Sequence, residues 1–542
     1  MNSFTPSVEQ DRAVLYKGDM VVIARPGSGK TSVVSRKIRD TVSRLKGHQG
    51  IIAISFTNKA SDELERRCKA GAFDVKGSFF GTIDEFCLRE IVFPFSKHLM
   101  AVATEMSTAR LSELPGTLCS MLPLKPLQDA TLEETRDYLP FLRQALIDGY
   151  VPLEGVGMLA RYVVENSIAC RRYLAARYEA VYVDEYQDSG YFQHQLFLKL
   201  RDLGLTAVAV GDSDQSIFGF AKKDSVHLLS LAAESSGFAQ FPITTNFRSH
   251  RSINDFALRL LDANHPIAPT DDMRVFIKKV IGDQRAMGNW LTSAIPIYMS
   301  HYAVSSADRV AVLCRHQHSA RMIADELKIP YHLVEDRPFN ATPGGEANLF
   351  SDLLRLRHDS LLTAEALIDR FVRRKLPLKH LRVIRKMVLG CRSCSEQDLV
   401  RTVLNASETL LDKKPSVEGE QELMAICDDY AKLRWFSTPP SDAVQIMTLH
   451  KAKGLEFDLV FHADLYDHVM PTRRYPPNTY GQVIYENEIQ CLNLHYVGVT
   501  RAIQACTLMT SSSRVNSQGA VKSGAPSQFI GRHGTNAIEI SW

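Results

Sequence analysis

Eight residues, Ala24-Arg25-Pro26-Gly27-Ser28-Gly29-Lys30-Thr31, have the types and spacing of a phosphate cradle. Gly27 and Gly29 let the backbone turn so that several N–H groups face phosphate oxygens. Lys30 can reach the outer phosphates of a nucleotide, and the Thr31 hydroxyl can bind Mg²⁺. Ala24 stands where such loops usually have their first glycine. A bare glycine turn that binds nothing is the competing reading, and Lys-Thr before a helix argues against it. A second set is Asp184-Glu185-Tyr186-Gln187-Asp188-Ser189. Asp184 is suited to hold Mg²⁺, directly or through water, and Glu185 to polarise an attacking water. Acidic pairs are common in surface turns, but this one leaves an apolar run and has Lys30 as a partner in chemistry. Gln215, in Gly211-Asp212-Ser213-Asp214-Gln215-Ser216, is a candidate γ-phosphate sensor.

These groups need a scaffold that delivers them to one place. Met20–Ile23 reads as a buried strand and Ser32–Arg44 as a helix, the strand, loop and helix context that a phosphate loop requires. Further strands are expected at Gly50–Phe56, Ser78–Phe80, Ala180–Val183 and Ala207–Val210. The second ends in Phe56-Thr57-Asn58-Lys59-Ala60 and the third delivers Gly81-Thr82-Ile83-Asp84 to the same edge. Alternating strands and helices imply an α/β fold with a parallel sheet, whose ligands sit at the carboxyl ends of the strands. Leu88–Arg177 carries long amphipathic segments and no strand-rich run, so a mostly helical insertion is expected there.

The composition leaves room for three or four domains: 542 residues, 45% hydrophobic and 23% charged. A formal charge of +3 does not by itself mark a nucleic-acid binder, although a basic groove can hide in a near-neutral total. Met1–Gln10 has neither a basic n-region nor an apolar h-region, and no run approaches the roughly 18 to 20 apolar residues that span a bilayer. A cytoplasmic protein with no membrane partner is expected. Ten cysteines without a disulfide-like rhythm suit reduced thiols. Cys391 and Cys394 have the spacing of half a zinc or iron–sulfur site, but no second closely spaced pair follows.

The order and wording of these stretches resemble the UvrD/Rep-like family of superfamily 1 DNA helicases. Gln10 and the runs 24–31, 56–67, 81–87, 184–189 and 211–220 match its successive motifs. So do Thr245-Asn246-Phe247-Arg248-Ser249, the long run from Val444 through His450 and Glu456 to Asp458, and Tyr496–Ala502. The matches extend from residue 10 to residue 502.

The resemblance implies two RecA-like P-loop motor domains with parallel sheets, each interrupted by a mostly helical insertion, with ATP and Mg²⁺ in the cleft between them. The first motor domain is expected at 1–87 and 178–240, interrupted by 88–177. The second is expected at 241–339 and 441–512, interrupted by a reduced insertion at 340–440, and 513–542 forms a tail. Gln10 would read adenine, Phe247 would stack on it, and Glu456 would contact the ribose or the γ-phosphate region. Arg248 and Arg501 would act as arginine fingers. Phe56, Thr82, Phe218, Phe220 and His450 would lie along single-stranded DNA, with core packing as the competing reading for each phenylalanine.

The expected activity is an ATP-dependent DNA translocase or helicase moving 3′ to 5′ on single-stranded DNA and DNA junctions. Its alternative is a nucleotide-dependent sensor of DNA ends, or scaffold, that switches a partner nuclease. Small members of the family serve as motor subunits beside a nuclease in bacterial anti-phage systems such as Gabija, and this chain resembles that size class.

Three departures bear on how ATP and DNA are coupled. Phe220-Ala221-Lys222-Lys223 lacks the family's arginine, Ile489–Asn493 lacks its charged residues, and Asp84 replaces a common histidine. The basic stretch Arg370–Lys386 reads either as a contact to duplex DNA or a partner, or as a solvated helix face. Ser511–Ser527, rich in Ser and Gly, reads as flexible.

Overall fold

Two parallel sheets organise the computed structural model, which describes residues 6–541 apart from 105, 213–225, 269, 336–337, 340–341, 343, 360–361, 373–375, 438–439, 475–483 and 536. The first sheet contains β1 (Met20–Ala24), β2 (Gly50–Ile54), β3 (Phe79–Gly81), β4 (Tyr178–Val183), β5 (Thr206–Gly211) and β6 (Ala239–Ile243). Their order is β3-β2-β4-β5-β1-β6, with every neighbour parallel. Successive residues face opposite sides. Val21 therefore joins Ile52, Val181 and Ala207 in one core, while Met20 and Val22 join Ile51, Tyr182 and Val208 in the other. Burial on both faces explains why these strands read as continuous apolar runs. The chain passes from β1 to β2 across β5 and β4, so the loops after β1, β4 and β5 open into one crevice. Helices α1 (Val8–Leu15), α2 (Lys30–Ser43) and α3 (Asn58–Lys69) flank that edge.

The second sheet contains β7 (Val275–Val280), β8 (Val310–Cys314), β9 (Tyr331–Leu333), β10 (Val444–Thr448), β11 (Phe457–His462), β12 (Ala502–Ser511) and β13 (Ile538–Glu539). Their order is β9-β10-β8-β11-β12-β7-β13, again parallel. Helices α4 (Arg251–Leu261) and α5 (Glu488–Val499) pack on one face through Ile253, Phe256, Leu494 and Val497.

The segment between β3 and β4 is mainly helical, but it also holds a short parallel pair, Ser107–Ala109 with Tyr150–Pro152. Runs of three residues are too short to show a period in the sequence. Between β9 and β10, helices from Gly344–Arg355 to Val417–Cys427 enclose their own core around Phe350, Leu367, Val388, Leu399 and Leu423. Cys391 is buried in that core, and burial pushes its thiol up to about 12.

The stretch expected to be flexible is ordered in part: Ser513–Val515 pairs antiparallel with Val521–Ser523. Asn516 closes the turn, its Oδ1 accepting from Gln518 N at 3.1 Å and Ala520 N at 2.8 Å, and Gly519 supplies φ +80°. Among the described residues no helix is long and apolar enough to cross a membrane.

Candidate active site

β1 ends at buried Ala24, and the loop beyond it turns through two left-handed glycines, Gly27 at φ +72° and Gly29 at φ +78°. Ser28 Oγ donates to Arg25 O at 2.6 Å, and Gln10 Nε2 donates to Ser28 O at 2.8 Å. Gln10 is wholly buried, and its Oε1 accepts from Ser7 N at 3.0 Å, so both ends of the amide are engaged inside the chain. Gly29 starts α2 without a side-chain cap, and the first turn has no acidic residue, which leaves the positive end of the helix facing the crevice. Lys30 Nζ is buried without a hydrogen-bond partner and lies 3.9 Å from Glu185 Oε1. A buried ammonium with no hydrogen bond and only a carboxylate at 3.9 Å, beside two left-handed glycines and an uncapped helix start, fits a polyphosphate.

β4 carries the acidic pair to the same edge, with Asp184 N bonded to Ile54 O at 2.9 Å. Glu185 is left-handed, φ +56°, a strained conformation for a residue with a Cβ, and it turns the carboxylate toward Lys30. Burial and the adjacent Glu185 charge raise the Asp184 pKa. Burial works against the Glu185 charge too, but Lys30, Lys453 and the Gln187 amide hold its pKa low. The pair is thus arranged with Glu185 ionised and Asp184 in need of a cation to stay so. Gln187 bonds Glu185 Oε2 through Nε2 and accepts from Asp212 N at 3.0 Å, tying the turn after β4 to the end of β5. Gly211 permits this approach, since a Cβ there would lie 2.5 Å from Gln187 Oε1.

The second sheet's unit closes the crevice. Phe247 N donates to Gly27 O at 2.9 Å, and the residue is 47% exposed. Arg248 Nε lies 3.4 Å from Glu456 Oε2, and burial lowers the arginine pKa. Arg501, at the end of α5, is buried and bonded: Nε to Val497 O at 3.0 Å, Nη1 to Leu455 O at 3.1 Å and Nη2 to Thr500 Oγ1 at 3.2 Å. Burial and neighbouring Arg248 push its pKa down to about 10, with Glu185 acting in the opposite sense. Lys30, Glu185, Arg248 and Arg501 therefore share one electrostatic environment drawn from both sheets.

Residues 10–221 match the model of an AAA domain, and residues 379–513 match that of the UvrD-like helicase C-terminal domain. Over these two segments the chain is similar to the UvrD-like helicases. It is 23% identical to a probable DNA helicase II homolog of Rickettsia felis, covering 97% of this chain and 95% of that protein. It is 22% identical to the ATP-dependent DNA helicase PcrA of Leuconostoc citreum, over 97% and 84%. It is 28% identical to the Gabija protein GajB of Bacillus cereus over 253 residues, 46% of this chain and 48% of GajB, so the match spans about half of that relative.

Of the residues expected along DNA, Phe56, Thr82 and His450 are among the described ones. Phe56 follows β2 and lines a small cavity with Ser55, Ile83, Asp184 and Glu185. Thr82 caps the short helix Ile83–Phe86, its Oγ1 accepting from Glu85 N at 3.3 Å. His450 follows β10, half-buried, with its pKa pushed down to about 4 by burial and by Arg315 and Lys453. Gln215, Phe218 and Phe220 lie outside the described residues.

Several residues with a place in the site had no role assigned from sequence. Gln187 and Asn246 sit inside the motifs, but their partners are visible only in the fold. Lys453 Nζ bonds Asp188 Oδ2 at 2.6 Å across the cleft. Arg315, after β8, and Arg514, after β12, each bury an Nε without a hydrogen-bond partner, and both lie near His316. Of the basic stretch, Arg370 is paired with Asp352 at 2.7 Å and with Asp62 at 3.3 Å, and Arg385 with Glu365. Lys379, Arg382 and Lys386 are exposed, while Arg373, Arg374 and Lys375 lie outside the described residues.

Proposed function

We propose that the chain is an ATP-dependent DNA translocase or helicase that moves 3′ to 5′ along single-stranded DNA, acting in the cytoplasm. The observation that carries this reading is the shared environment of Lys30 and Glu185 from the first sheet with Arg248 and Arg501 from the second. With ATP as substrate, a Mg²⁺ ion held by Thr31 and Asp184 would neutralise charge on the phosphates. The loop 24–31 cradles the phosphates through its backbone N–H groups, Lys30 binds the outer ones, and Thr31 and Asp184 hold the metal. Glu185 takes a proton from water at its carboxylate, with Gln187 orienting it; the γ-phosphate sensor role of Gln215, outside the described residues, rests on the sequence alone. Arg248 and Arg501 bring positive charge from the opposite unit, so turnover requires closure. Phe247 stacks on adenine, Gln10 reads its edge, and Glu456 contacts the ribose or the γ-phosphate region. A base edge reaches the Gln10 amide only if one of its present hydrogen bonds is exchanged.

DNA would run over Phe56, Thr82, Phe218, Phe220 and His450, where aromatic stacking gives grip without sequence preference. Arg315 and Arg514 add cations for the backbone. A second reading, a DNA-end sensor or scaffold that regulates a partner nuclease, is supported by the similarity to GajB.

Strand displacement on duplexes with 3′ or 5′ tails separates the two readings. ATP-dependent unwinding from the 3′ tail is the expected result. Binding and turnover without unwinding from either tail would favour the sensor.

A further inference from the structure

We infer that Asn246 is a positioning residue that registers Arg248 to the phosphate loop. Its amide uses every hydrogen-bonding capacity it has. Nδ2 donates to Pro26 O at 3.0 Å in the loop and to Asn254 Oδ1 at 3.2 Å on α4. Oδ1 accepts from Arg248 N at 2.8 Å and from Ser249 N at 2.9 Å. Two oxygens on one side and two N–H groups on the other allow only one orientation of the amide.

The contact is as close as the loop permits. A Cβ on Gly27 would stand 2.7 Å from Asn246 Oδ1 and 2.9 Å from Arg248 Cβ, so glycine is required here for the approach as well as for φ +72°. Phe247 N to Gly27 O, at 2.9 Å, is a second rung between the same segments. One planar amide therefore links the loop carbonyl at 26 to the backbone N–H that begins Arg248. A shift of the loop moves the arginine with it. Asn246 acts here through Arg248.

This inference rests on the arginine role proposed above, and its test separates the two. Asn246→Asp keeps an acceptor for the N–H groups of Arg248 and Ser249 but sets an oxygen against Pro26 O and Asn254 Oδ1. DNA-stimulated turnover should fall by about 10²-fold, the scale set by small misplacements of a reacting constellation. ADP affinity should be unchanged. The added affinity for ADP with aluminium fluoride, relative to ADP alone, should shrink by a similar factor. In an Arg248→Ala background the same change should cost nothing further. Asn254→Ala, which leaves the Pro26 bond in place, should move both readouts in the same direction by less, and it carries the test if Asn246→Asp does not fold. Wild-type behaviour of either variant, or losses that multiply independently of Arg248, would overturn the inference alone. A wild-type chain with no DNA-stimulated turnover would remove the functional reading and this inference with it.

Discussion

Lys453 Nζ lies 2.6 Å from Asp188 Oδ2, tying the turn after β10 to the turn after β4, with Asp188 fully buried and the Lys453 side chain 9% exposed. Removing one member of such a pair leaves an uncompensated buried charge, which typically costs about 3–5 kcal/mol. Lys453→Met should therefore lower the urea midpoint and open the cleft to proteolysis. Asp188→Leu combined with Lys453→Met should recover much of the loss, because no lone charge remains. Equal midpoints for the wild type and Lys453→Met would show that the pair does not hold the units together.

Lys30→Ala should abolish ATP turnover while leaving the melting temperature within a few degrees of wild type. The buried ammonium has no hydrogen bond to lose, and the carboxylate it leaves, Glu185, keeps the Gln187 amide and the charge of Lys453 as partners, so the substitution removes a phosphate ligand and one ion pair at 3.9 Å. Glu185→Gln should retain binding of ATP and DNA but stop hydrolysis, since an amide does not accept a proton from water as a carboxylate does. Steady-state turnover and binding of a fluorescent nucleotide, measured on both variants, decide this. Normal hydrolysis by Glu185→Gln would place the base elsewhere.

The strands were legible because both faces of each sheet are covered. Met20–Ile23 and Ala180–Val183 stood out as apolar runs, and the structure extends each by one or two residues, to Met20–Ala24 and Tyr178–Val183. The pairings that shape the cleft were not legible. Gln187 reaches Asp212, and Lys453 reaches Asp188 across 265 positions, and no local period signals such contacts. Composition misled at 511–527, where Ser and Gly suggested mobility but Asn516 and Gly519 supply a turn.

Acid should weaken the second sheet's unit through a buried histidine pair. His495 Nδ1 and His462 Nε2 are 3.0 Å apart, and both rings are fully buried. Burial lowers the His462 pKa from 6.5 to about 4, and burial with His462 beside it lowers that of His495 as well. Below the ordinary histidine value the unfolded chain binds more protons than the folded one. Stability is therefore full above pH 6.5 and falls as pH drops toward 4, by on the order of 3 kcal/mol for His462 alone. Unfolding free energies at pH 8 and pH 5 should show this slope, and replacing both histidines by leucine should flatten it. An unchanged slope in that double variant would assign the acid sensitivity to other groups.

The two arginines of the cleft should separate under mutation, because the structure holds them differently. Arg248 makes its ion pair with Glu456, which is half-exposed, and Arg248→Ala leaves no buried carbonyl without its donor. Arg501 donates to Val497 O and Leu455 O from a buried position; Val497 O keeps Thr500 Oγ1 at 3.1 Å, so Arg501→Ala costs chiefly the donor to Leu455 O, at about 1–3 kcal/mol. Both variants should lose on the order of 10³ or more in kcat, the scale of arginine fingers, with much smaller changes in nucleotide affinity. Only Arg501→Ala should also melt at a lower temperature, and Arg501→Lys should restore little, since an ammonium does not reproduce the fork of donors. The check is kcat and ATP affinity with and without single-stranded DNA, alongside thermal unfolding of each variant. A folded, stable Arg501→Ala with full DNA-stimulated turnover would show that Arg501 neither supports the end of α5 nor completes the site. The same result for Arg248→Ala as well would remove the two-unit cleft as the place of hydrolysis.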